Sequence, residues 1–318
     1  MSEQSAEPSS APGSPLRGAP DSGPSTAPPG QAAGDFVLTL VCPDRPGIVH
    51  AASGFLIEHG GNIIESQQFG DQITNRFFMR IDFEIGASGG APPTADDLRD
   101  AFAPVAAEYE MSYELWAARS PYRTLIMASK HLHCLNDLLF RWSTGSLQIE
   151  IPAVVSNHRD AERLCDAYGL AFHHIPVTAD NKDQAERELL DLVRRHGVDL
   201  VVLARYMQVL SDDLCRTLAG KVINIHHSFL PSFKGARPYH QAYDRGVKLV
   251  GATAHYVTAD LDEGPIIEQD TLRVDHTYNQ DQLVAAGRDV EAQVLSRAVR
   301  WHAESRVLLN GHRTVVFR

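Results

Sequence analysis

Residues 198–204, VDLVVLA, contain the most continuously apolar stretch of the chain. Other apolar segments that suggest strands lie at 124–128, 147–155, 171–177, 221–226 and 249–257. Amphipathic segments separate several of them, including a charged one at 182–196. Apolar runs without alternation are typical of parallel strands that helices cover on both faces. Residues 123–318 are therefore predicted to form an α/β domain with a doubly wound, mostly parallel sheet.

The end of this region has two further signals. Residues 279–305 carry apolar side chains on roughly one face, which predicts a long helix that packs and carries no chemistry. Asn310 and Gly311 separate two apolar runs, a strong signal for a closing hairpin. In open sheets of this kind, ligands bind outside the carboxyl ends of the strands, so chemistry is expected just after each strand.

Residues 35–118 follow a different pattern. Alternating or β-branched segments predict strands at 36–41, 62–69, 75–85 and 110–116, with helices starting after Arg45 and Thr94 and a turn at Gly70 and Asp71. The order β-α-β-β-α-β is that of a ferredoxin-like unit. This order and the sequence DRPG at 44–47 resemble an ACT domain, a small module that senses amino acids.

The ACT resemblance implies a small amino-acid effector near Asp44, Gly47 and Asn62, at a site that a subunit interface could complete. It also implies a homo-oligomer, since such units commonly pair through their sheets. The alternative is that Pro46 and Gly47 are needed only to form a tight turn, which is the usual role of these residue types.

Composition excludes several classes of protein. The chain has 318 residues, of which 43% are hydrophobic and 22% charged, as in an ordinary globular protein. The net charge of −11, without a block of Lys or Arg, argues against binding to nucleic acid. No apolar run approaches the roughly 18 residues that span a bilayer, so no membrane association is expected.

The cysteines and the segments outside the two predicted domains indicate the cellular location and the link between the domains. Four cysteines lie far apart without a C-x-x-C pair, which predicts neither disulfides nor a zinc knuckle and fits a reducing cytoplasm. Residues 1–34 are rich in Pro, Ser, Ala and Gly, and are expected to be a disordered tail without the features of a signal or transit peptide. Residues 119–122 are expected to link the two domains.

Polar residues near two predicted strands suggest chemistry. Asn224 and His226 are two residues apart on the strand 221–226, so their side chains share a face. The strand 249–257 carries His255 and leads into an acidic turn that contains Asp262. If that turn lies beside Asn224 and His226, an amide, an imidazole and a carboxylate meet. Acyl chemistry requires such a set, with an oxyanion donor, an acid or base and an orienting group.

Two other interpretations of these residues remain open. A strand-end Asn and His often serve only as hydrogen-bonding partners of loops. A metal site could combine His226, His227 and His255 with Asp262. This second interpretation is disfavoured because adjacent residues of an extended segment point to opposite faces, so His226 and His227 should not share an ion.

Two longer segments favour the catalytic interpretation of Asn224, His226 and Asp262. NIHHSFLP at 224–231 and DEGPII at 262–267 resemble the signature of the 10-formyltetrahydrofolate-dependent formyltransferase superfamily. The tandem histidines, GARPYHQA at 235–242 and the ACT-like region are similar to its hydrolytic branch, the formyltetrahydrofolate deformylases. The resemblance covers residues 35–318. It implies a formyltransferase-like catalytic domain at 123–318.

The resemblance also implies roles for individual residues. The catalytic residues of the family correspond to Asn224, His226 and Asp262. Folate-binding positions correspond to Met207, Gln208, Val209 and Leu210, and to Val257 and Asp260 in the acidic loop. No metal or nucleotide cofactor is implied, since the folate is the substrate.

The implied reaction is hydrolysis of 10-formyltetrahydrofolate to tetrahydrofolate and formate, which supplies formate for purine synthesis and balances one-carbon folate pools. One alternative is a formyltransferase with an amine acceptor, and a more distant one is a non-catalytic folate or amino-acid sensor. Residues 129–135, SKHLHCL, contain no glycine, whereas the glycinamide-ribonucleotide transferase has a glycine-rich phosphate loop there. That difference favours water as the acceptor, although Gln208 also replaces an arginine typical of that transferase.

Overall fold

The structure is a computed structural model that describes residues 36–86, 93–118, 120–231 and 238–318. The tail predicted at 1–34 lies outside the described residues, as do Arg119 of the expected linker and residues 235–237 of the GARPYHQA segment. No helix among the described residues is long and apolar enough to cross a membrane.

The first part of the fold is a four-stranded antiparallel sheet with two helices. Its strands are β1 (Phe36–Pro43), β2 (Gly61–Asp71), β3 (Arg76–Ile85) and β4 (Ser112–Ala117), and its helices are α1 (Ile48–Glu58) and α2 (Ala95–Glu108). The strand order is β2-β3-β1-β4. The elements follow one another as β-α-β-β-α-β, the order that the sequence predicts. We call residues 36–118 the N-terminal region.

Local chemistry explains the ends of these elements. A capping box between Thr94 and Asp97 starts α2. The turn predicted at Gly70 and Asp71 is wrong, because β2 continues through Asp71 and the chain turns over residues 72–75. Asp71 stabilises that later turn by accepting a hydrogen bond from the backbone N–H of Ile73 at 2.9 Å.

The second part is built on the larger, eight-stranded sheet. Its strands are β5 (Tyr122–Ala128), β6 (Ile149–Glu150), β7 (Val154–Ser156), β8 (Phe172–His174), β9 (Leu200–Ala204), β10 (Val222–His226), β11 (Leu249–Tyr256) and β12 (Ile266–Arg273). Its helices are α3 (His133–Ser143), α4 (Glu162–Ala167), α5 (Lys182–Arg195), α6 (Asp212–Thr217), α7 (Pro238–Asp244) and α8 (Gln280–Ala303). A hairpin of β13 (Val307–Asn310) and β14 (Arg313–Val316) follows.

The larger sheet is mostly parallel, as predicted. Its order is β12-β11-β10-β9-β5-β7-β8, with β6 beside β5. The pairs from β10 to β8 are parallel, whereas β11 and β12 are antiparallel additions at one edge. Along β9, Leu200 and Val202 belong to one apolar core while Val201 and Leu203 belong to another. Alternate residues thus pack against helices on both faces, which is the doubly wound arrangement.

Some predicted boundaries are wrong. The strand predicted at 147–155 is two short strands, β6 and β7, with Pro152 between them. Proline has no backbone N–H to donate to a neighbouring strand, which accounts for the interruption. The strand predicted at 171–177 shortens to β8. The strand β12 and the short helices α6 and α7 have no counterpart in the sequence analysis.

Polar contacts join the N-terminal region to the end of the chain. Asn310 donates to the Asp71 carboxylate at 2.7 Å, and the Arg313 guanidinium lies 2.9 Å from the same oxygen. Arg306 pairs with Glu65 on β2 at 3.0 Å. The closing hairpin therefore contacts β2 and fixes it against the part of the fold that carries the larger sheet.

Candidate active site

Strands β10 and β11 place the first two polar side chains of the site. Their antiparallel register sets Asn224 opposite His255. The Asn224 Nδ2 atom lies 3.2 Å from the His255 Nε2 atom. Asn224 and His226 lie two residues apart on β10, so they share one face of the sheet, as predicted.

His255 sets the orientation of the Asn224 amide. The Nδ1 atom of His255 lies 2.9 Å from the backbone carbonyl oxygen of Tyr256, to which it donates. Burial lowers the pKa of His255, so the ring is neutral and its Nε2 accepts. The Asn224 amide therefore donates one N–H to His255. Its second N–H remains to donate to a ligand on this face.

Asp262 reaches the same place from the turn after β11. The turn starts beside the first residue of β10, where the Val257 N–H donates to the Val222 carbonyl oxygen at 2.9 Å, and then folds back. The Asp262 Oδ1 atom lies 3.2 Å from His226 Nδ1 and 3.7 Å from His255 Nε2. The expected meeting of amide, imidazole and carboxylate occurs, although it depends on this fold-back rather than on adjacent strand ends.

Gly264 makes the fold-back possible. A Cβ atom at this position would lie 1.7 Å from the backbone oxygen of Tyr256, inside any permissible contact. Asp262 itself has a φ of 57°, in the left-handed region that Asp tolerates better than most residues. The sequence DEGPII thus meets a steric requirement as well as a chemical one.

Electrostatics favour an ionised Asp262. The hydrogen bond with His226 lowers the pKa of the carboxyl, and the nearby histidines lower it further, which outweighs the opposite effect of burial. The Nε2 atom of His226 is buried without a hydrogen-bond partner among the described residues. The imidazole is therefore held at Nδ1 and leaves Nε2 to contact a ligand.

These side chains line a cavity of about 740 Å³, which we call the catalytic cavity. Met207, Val209 and Leu261 also line it and are 53%, 57% and 63% exposed. Large apolar side chains exposed at a cavity are typical of a surface that binds a flat or apolar ligand. The cavity thus combines an apolar wall with the convergent polar side chains of Asn224, His226 and Asp262.

The predicted folate-binding residues divide into two groups. Met207, Gln208, Val209, Leu210 and Val257 line the catalytic cavity. Asp260 is not among the described residues that line it. The backbone oxygen of Asp260 instead accepts hydrogen bonds from the Thr258 hydroxyl and the Glu263 N–H, at 3.1 and 3.3 Å, so this residue shapes the turn.

A buried polar network that the sequence does not predict lies at the same cavity. Glu291 on α8 is fully buried and accepts hydrogen bonds from Tyr239 and His133 at 2.7 and 2.8 Å, while Arg205 lies 3.3 Å away. The expectation that the long C-terminal helix only packs is wrong, because Glu291 and Arg288 on α8 line the cavity. A lone Glu in an amphipathic helix gives no sequence signal of such a contact.

Metal binding finds little support in the donor atoms. The rings of His226 and His227 lie 5.3 Å apart, so the expectation that they face opposite ways is wrong, because β10 ends at His226. Potential ligand atoms of His133, Cys134 and Glu291 do lie within 4.8 Å of one another. Burial raises the pKa of the Cys134 thiol well above its usual value, which opposes ionisation of the thiol in the metal-free protein.

The three predicted effector residues do not meet within one chain. Pro43, next to Asp44, pairs with Arg76 at one end of β3, whereas Asn62 pairs with Glu84 at the other. Gly47 has a φ of 97°, and a Cβ there would lie 2.9 Å from the Tyr109 hydroxyl oxygen. Gly47 therefore has a steric role whether or not an effector binds.

Comparison with known proteins identifies the family. Residues 122–299 match the model of the formyl transferase family. Formyltetrahydrofolate deformylase of Corynebacterium sp. (strain P-1) is 57% identical over 282 residues, which cover 89% of this chain and 98% of the relative.

Solved structures agree with that match. The formyltetrahydrofolate deformylase of Pseudomonas syringae pv. tomato superposes with a TM-score of 0.86 at 47% identity, over 91% of this chain and 96% of the other. That of Burkholderia mallei gives a TM-score of 0.84 at 52% identity, over 89% and 99%. The chain therefore belongs to the formyltetrahydrofolate deformylase family.

Proposed function

We propose that the chain hydrolyses 10-formyltetrahydrofolate to tetrahydrofolate and formate, with Asn224, His226 and Asp262 as its catalytic residues. One observation carries the assignment of residues. The His226 ring is held at Nδ1 by Asp262, and its buried Nε2 lacks a partner among the described residues, beside an Asn224 amide with one N–H to spare. Family membership supports the substrate.

The geometry supports a simple sequence of steps. A water oxygen attacks the formyl carbon, and the carbonyl oxygen gains negative charge. The second N–H of Asn224 donates to that oxygen, and so does Nε2 of His226 when both ring nitrogens carry a proton. The ionised Asp262 stabilises the charged imidazole and takes a proton from the attacking water. The bond from the formyl carbon to N10 then breaks as N10 takes up the proton that Asp262 had accepted. The formic acid that forms loses its proton to water, and formate and tetrahydrofolate separate.

The loop after β5 favours water over an amine acceptor. Residues 129–135 contain no glycine. The Ser129 hydroxyl donates to Asn157 at 2.6 Å and accepts from the N–H of Met207 at 3.1 Å. This loop is therefore engaged with its own neighbours, unlike a glycine-rich loop whose backbone N–H groups surround a phosphate.

Formate release by the full chain tests this proposal. We expect rapid formate production from 10-formyltetrahydrofolate without any amine, and a fall in kcat of about 10²- to 10⁴-fold in Asp262→Asn, the range for loss of a general base. Asp166→Asn, at an exposed position on α4, is the matched control and should keep full activity. Folate binding without formate release by the wild type would contradict the proposal, and an acceptor-dependent formylated product would indicate a transferase.

We also propose that the N-terminal region is an ACT domain that binds a small amino acid. Its β-α-β-β-α-β order and the Asp44–Gly47 turn support this. Since Asp44 and Asn62 lie at opposite ends of the sheet in one chain, the effector site would need two chains, which favours a homo-oligomer. Isothermal titration with amino acids, alongside sedimentation, tests this: binding only by the oligomer is expected, and binding by a monomer would contradict it.

The proposed reaction suggests a cellular role. Free formate and unsubstituted tetrahydrofolate are the products, so the enzyme would supply formate for purine synthesis and balance one-carbon folate pools. The four cysteines are buried free thiols, which fits the reducing cytoplasm proposed as its location. No cofactor is proposed, because the folate itself carries the reacting group.

A further inference from the structure

The catalytic cavity extends to basic side chains that the proposed reaction does not use. Arg205, Arg288 and His131 line the same cavity as Asn224, His226 and Asp262. Arg205 directly follows β9 and has a φ of 64°, in the left-handed region that non-glycine residues seldom adopt. A strained backbone at a cavity often reflects a functional constraint on the side chain that it places there.

Arg205 is held on one side and unpartnered on another. Its side chain is only 10% exposed, and its Nε lies 3.3 Å from the Glu291 carboxylate. Both this Nε and Nη1 are buried without a hydrogen-bond partner among the described residues, so the contact with Glu291 is an ion pair rather than a hydrogen bond. Buried donors of folded proteins nearly always have a partner. Both nitrogens can therefore donate to an acceptor that enters the cavity.

Glu291 does not supply an acceptor to Nη1, because neither of its oxygens forms a hydrogen bond with that nitrogen. Tyr239 donates to one oxygen at 2.7 Å and His133 to the other at 2.8 Å. Burial raises the pKa of Glu291, but the hydrogen bond from His133 and the charge of Arg205 lower it by more, so the carboxylate is ionised. Glu291 thus fixes the guanidinium and leaves Nη1 to a ligand.

The balance of charge at this end of the cavity favours a small anion. The fixed charges are two guanidinium groups, Arg205 and Arg288, against one carboxylate, Glu291. Burial lowers the pKa of His131, and both arginines lower it further. Burial and Arg205 likewise lower the pKa of His227 to about 3. Both imidazoles are therefore neutral at pH 7 and can donate or accept without adding charge.

We infer that Arg205, assisted by Arg288 and His131, binds the formate anion after it has formed at the catalytic residues. The inference rests on the proposed reaction, which releases formate into this cavity. Formate is planar and carries one negative charge, and two oxygens suit the parallel N–H groups of a guanidinium. Asp262 is ionised and repels the new carboxylate, whereas Arg205 attracts it.

Neighbouring rings connect the two ends of the cavity. The ring of His227 lies 5.3 Å from that of His226 and 6.3 Å from that of Tyr239, which in turn donates to Glu291. His227, Tyr239 and Glu291 thus connect His226 to Arg205 through successive contacts. Formate bound there no longer occupies the position of the next attacking water.

Formate binding to the full chain tests the inference. Saturation-transfer NMR follows the single C–H proton of formate during a titration, with and without saturating tetrahydrofolate. We expect the wild type to bind formate in both conditions, and Arg205→Gln to weaken binding about tenfold or more, the usual effect of losing a charged hydrogen bond. Arg163→Gln, at an exposed position on α4, is the matched control and should bind as the wild type does.

Several outcomes would overturn the inference. The wild type could fail to bind formate, or tetrahydrofolate could displace bound formate. A folded Arg205→Gln variant that binds formate as tightly as the wild type would also reject the inference. If Arg205→Gln does not fold, Arg288→Gln at an exposed position decides the question through a smaller loss of formate affinity, and no loss would reject the site.

The two proposals fail in different ways. Formate binding through Arg205 without formate release from 10-formyltetrahydrofolate would reject the reaction and keep an anion site. Formate release from 10-formyltetrahydrofolate without formate binding at Arg205 would support the reaction and reject the anion site. In the hydrolysis assay, the inhibition constant of added formate should rise in Arg205→Gln by the same factor as the dissociation constant.

Discussion

The two sheets of the molecule place their polar candidate residues in opposite ways. In the larger sheet, the register sets Asn224 against His255, and a fold-back brings Asp262 within 3.2 Å of His226. In the N-terminal sheet, Asn62 pairs with Glu84, whereas Pro43, which precedes Asp44, pairs with Arg76, eight positions away along β3. At about 3.4 Å per residue, that separation is about 27 Å.

The difference shows that register, more than residue type, decides whether polar residues form a site. Both regions contain an Asn, an Asp and a glycine-dependent turn. Only the larger sheet brings its Asn and Asp onto one face and into one cavity. The N-terminal sheet can combine its candidates only if a second chain provides half of them.

Within this comparison of the two sheets, the largest expected effect on kcat comes from replacing each of the two asparagines by alanine in a separate variant. Asn224→Ala removes a donor to the developing oxyanion and should lower kcat about 10²- to 10³-fold. Asn62→Ala removes a hydrogen bond to Glu84 of 3.0 Å and should leave kcat unchanged in the absence of an effector. Steady-state formate release measures both.

Circular dichroism and urea unfolding control for loss of fold in either variant. Near-normal turnover in a folded Asn224→Ala would mean that the amide does not contact the reacting oxygen. A large loss in Asn62→Ala without effector would instead show that the N-terminal sheet contributes to the basal reaction, and the contrast between the sheets would disappear.

The sequence predicts this contrast only in part. Continuous apolar runs identify the parallel strands, and two-residue spacing places Asn224 and His226 on one face, since both depend on local periodicity. The contact of these two residues with Asp262 is also predicted, on the condition that the turn after β11 lies beside them. The sequence does not show that this turn starts at the opposite end of β10 and folds back over Gly264.

The buried network lies beyond sequence reasoning for a physical reason. Glu291 and His133 are separated by 158 positions, and only the packing of α3 against α8 brings them together. The strand β12 was missed because it is an edge strand with polar residues such as Gln269 and Asp270, without a continuous apolar run. Tertiary contacts, rather than local propensity, decide both features.

A second prediction concerns the turn that resembles an ACT signature. Gly47→Ala places a Cβ at a φ of 97° and 2.9 Å from the Tyr109 hydroxyl oxygen, and should lower the free energy of unfolding by about 1–2 kcal/mol. Gly54→Ala lies inside α1, the helix that Gly47 precedes; its Cβ meets no described atom within 4 Å and should raise that free energy by about 0.5–1 kcal/mol.

Denaturant unfolding measures the free energy of unfolding of both variants. We expect kcat to be unchanged in both. Equal stability of Gly47→Ala and the wild type would mean that the turn tolerates a side chain and that its glycine has no steric role. A fall in kcat in Gly47→Ala at unchanged folding would show that the N-terminal sheet influences the catalytic cavity directly.

The smallest effect is expected at Asp71, where the two regions meet. The hydrogen bond from Asn310 lowers the pKa of the Asp71 carboxyl to about 2, with help from the N–H of Ile73. In the unfolded chain the value is about 4. A lowered folded-state pKa gives stability that is fully present above about pH 4 and is lost as the pH falls towards 2.

Asp71→Asn should therefore flatten the dependence of unfolding on pH between about 4 and 2, while the urea midpoint at pH 7 falls slightly because the contact with Arg313 is also weakened. Urea unfolding at pH 7, 4 and 3 measures both, with Asp166→Asn on α4 as the control. An unchanged slope would mean that Asn310 does not hold the ionised carboxylate. Since Asp71 ends β2 and Asn310 ends β13, that result would also remove one of the contacts through which an effector on the N-terminal sheet could reach the larger sheet.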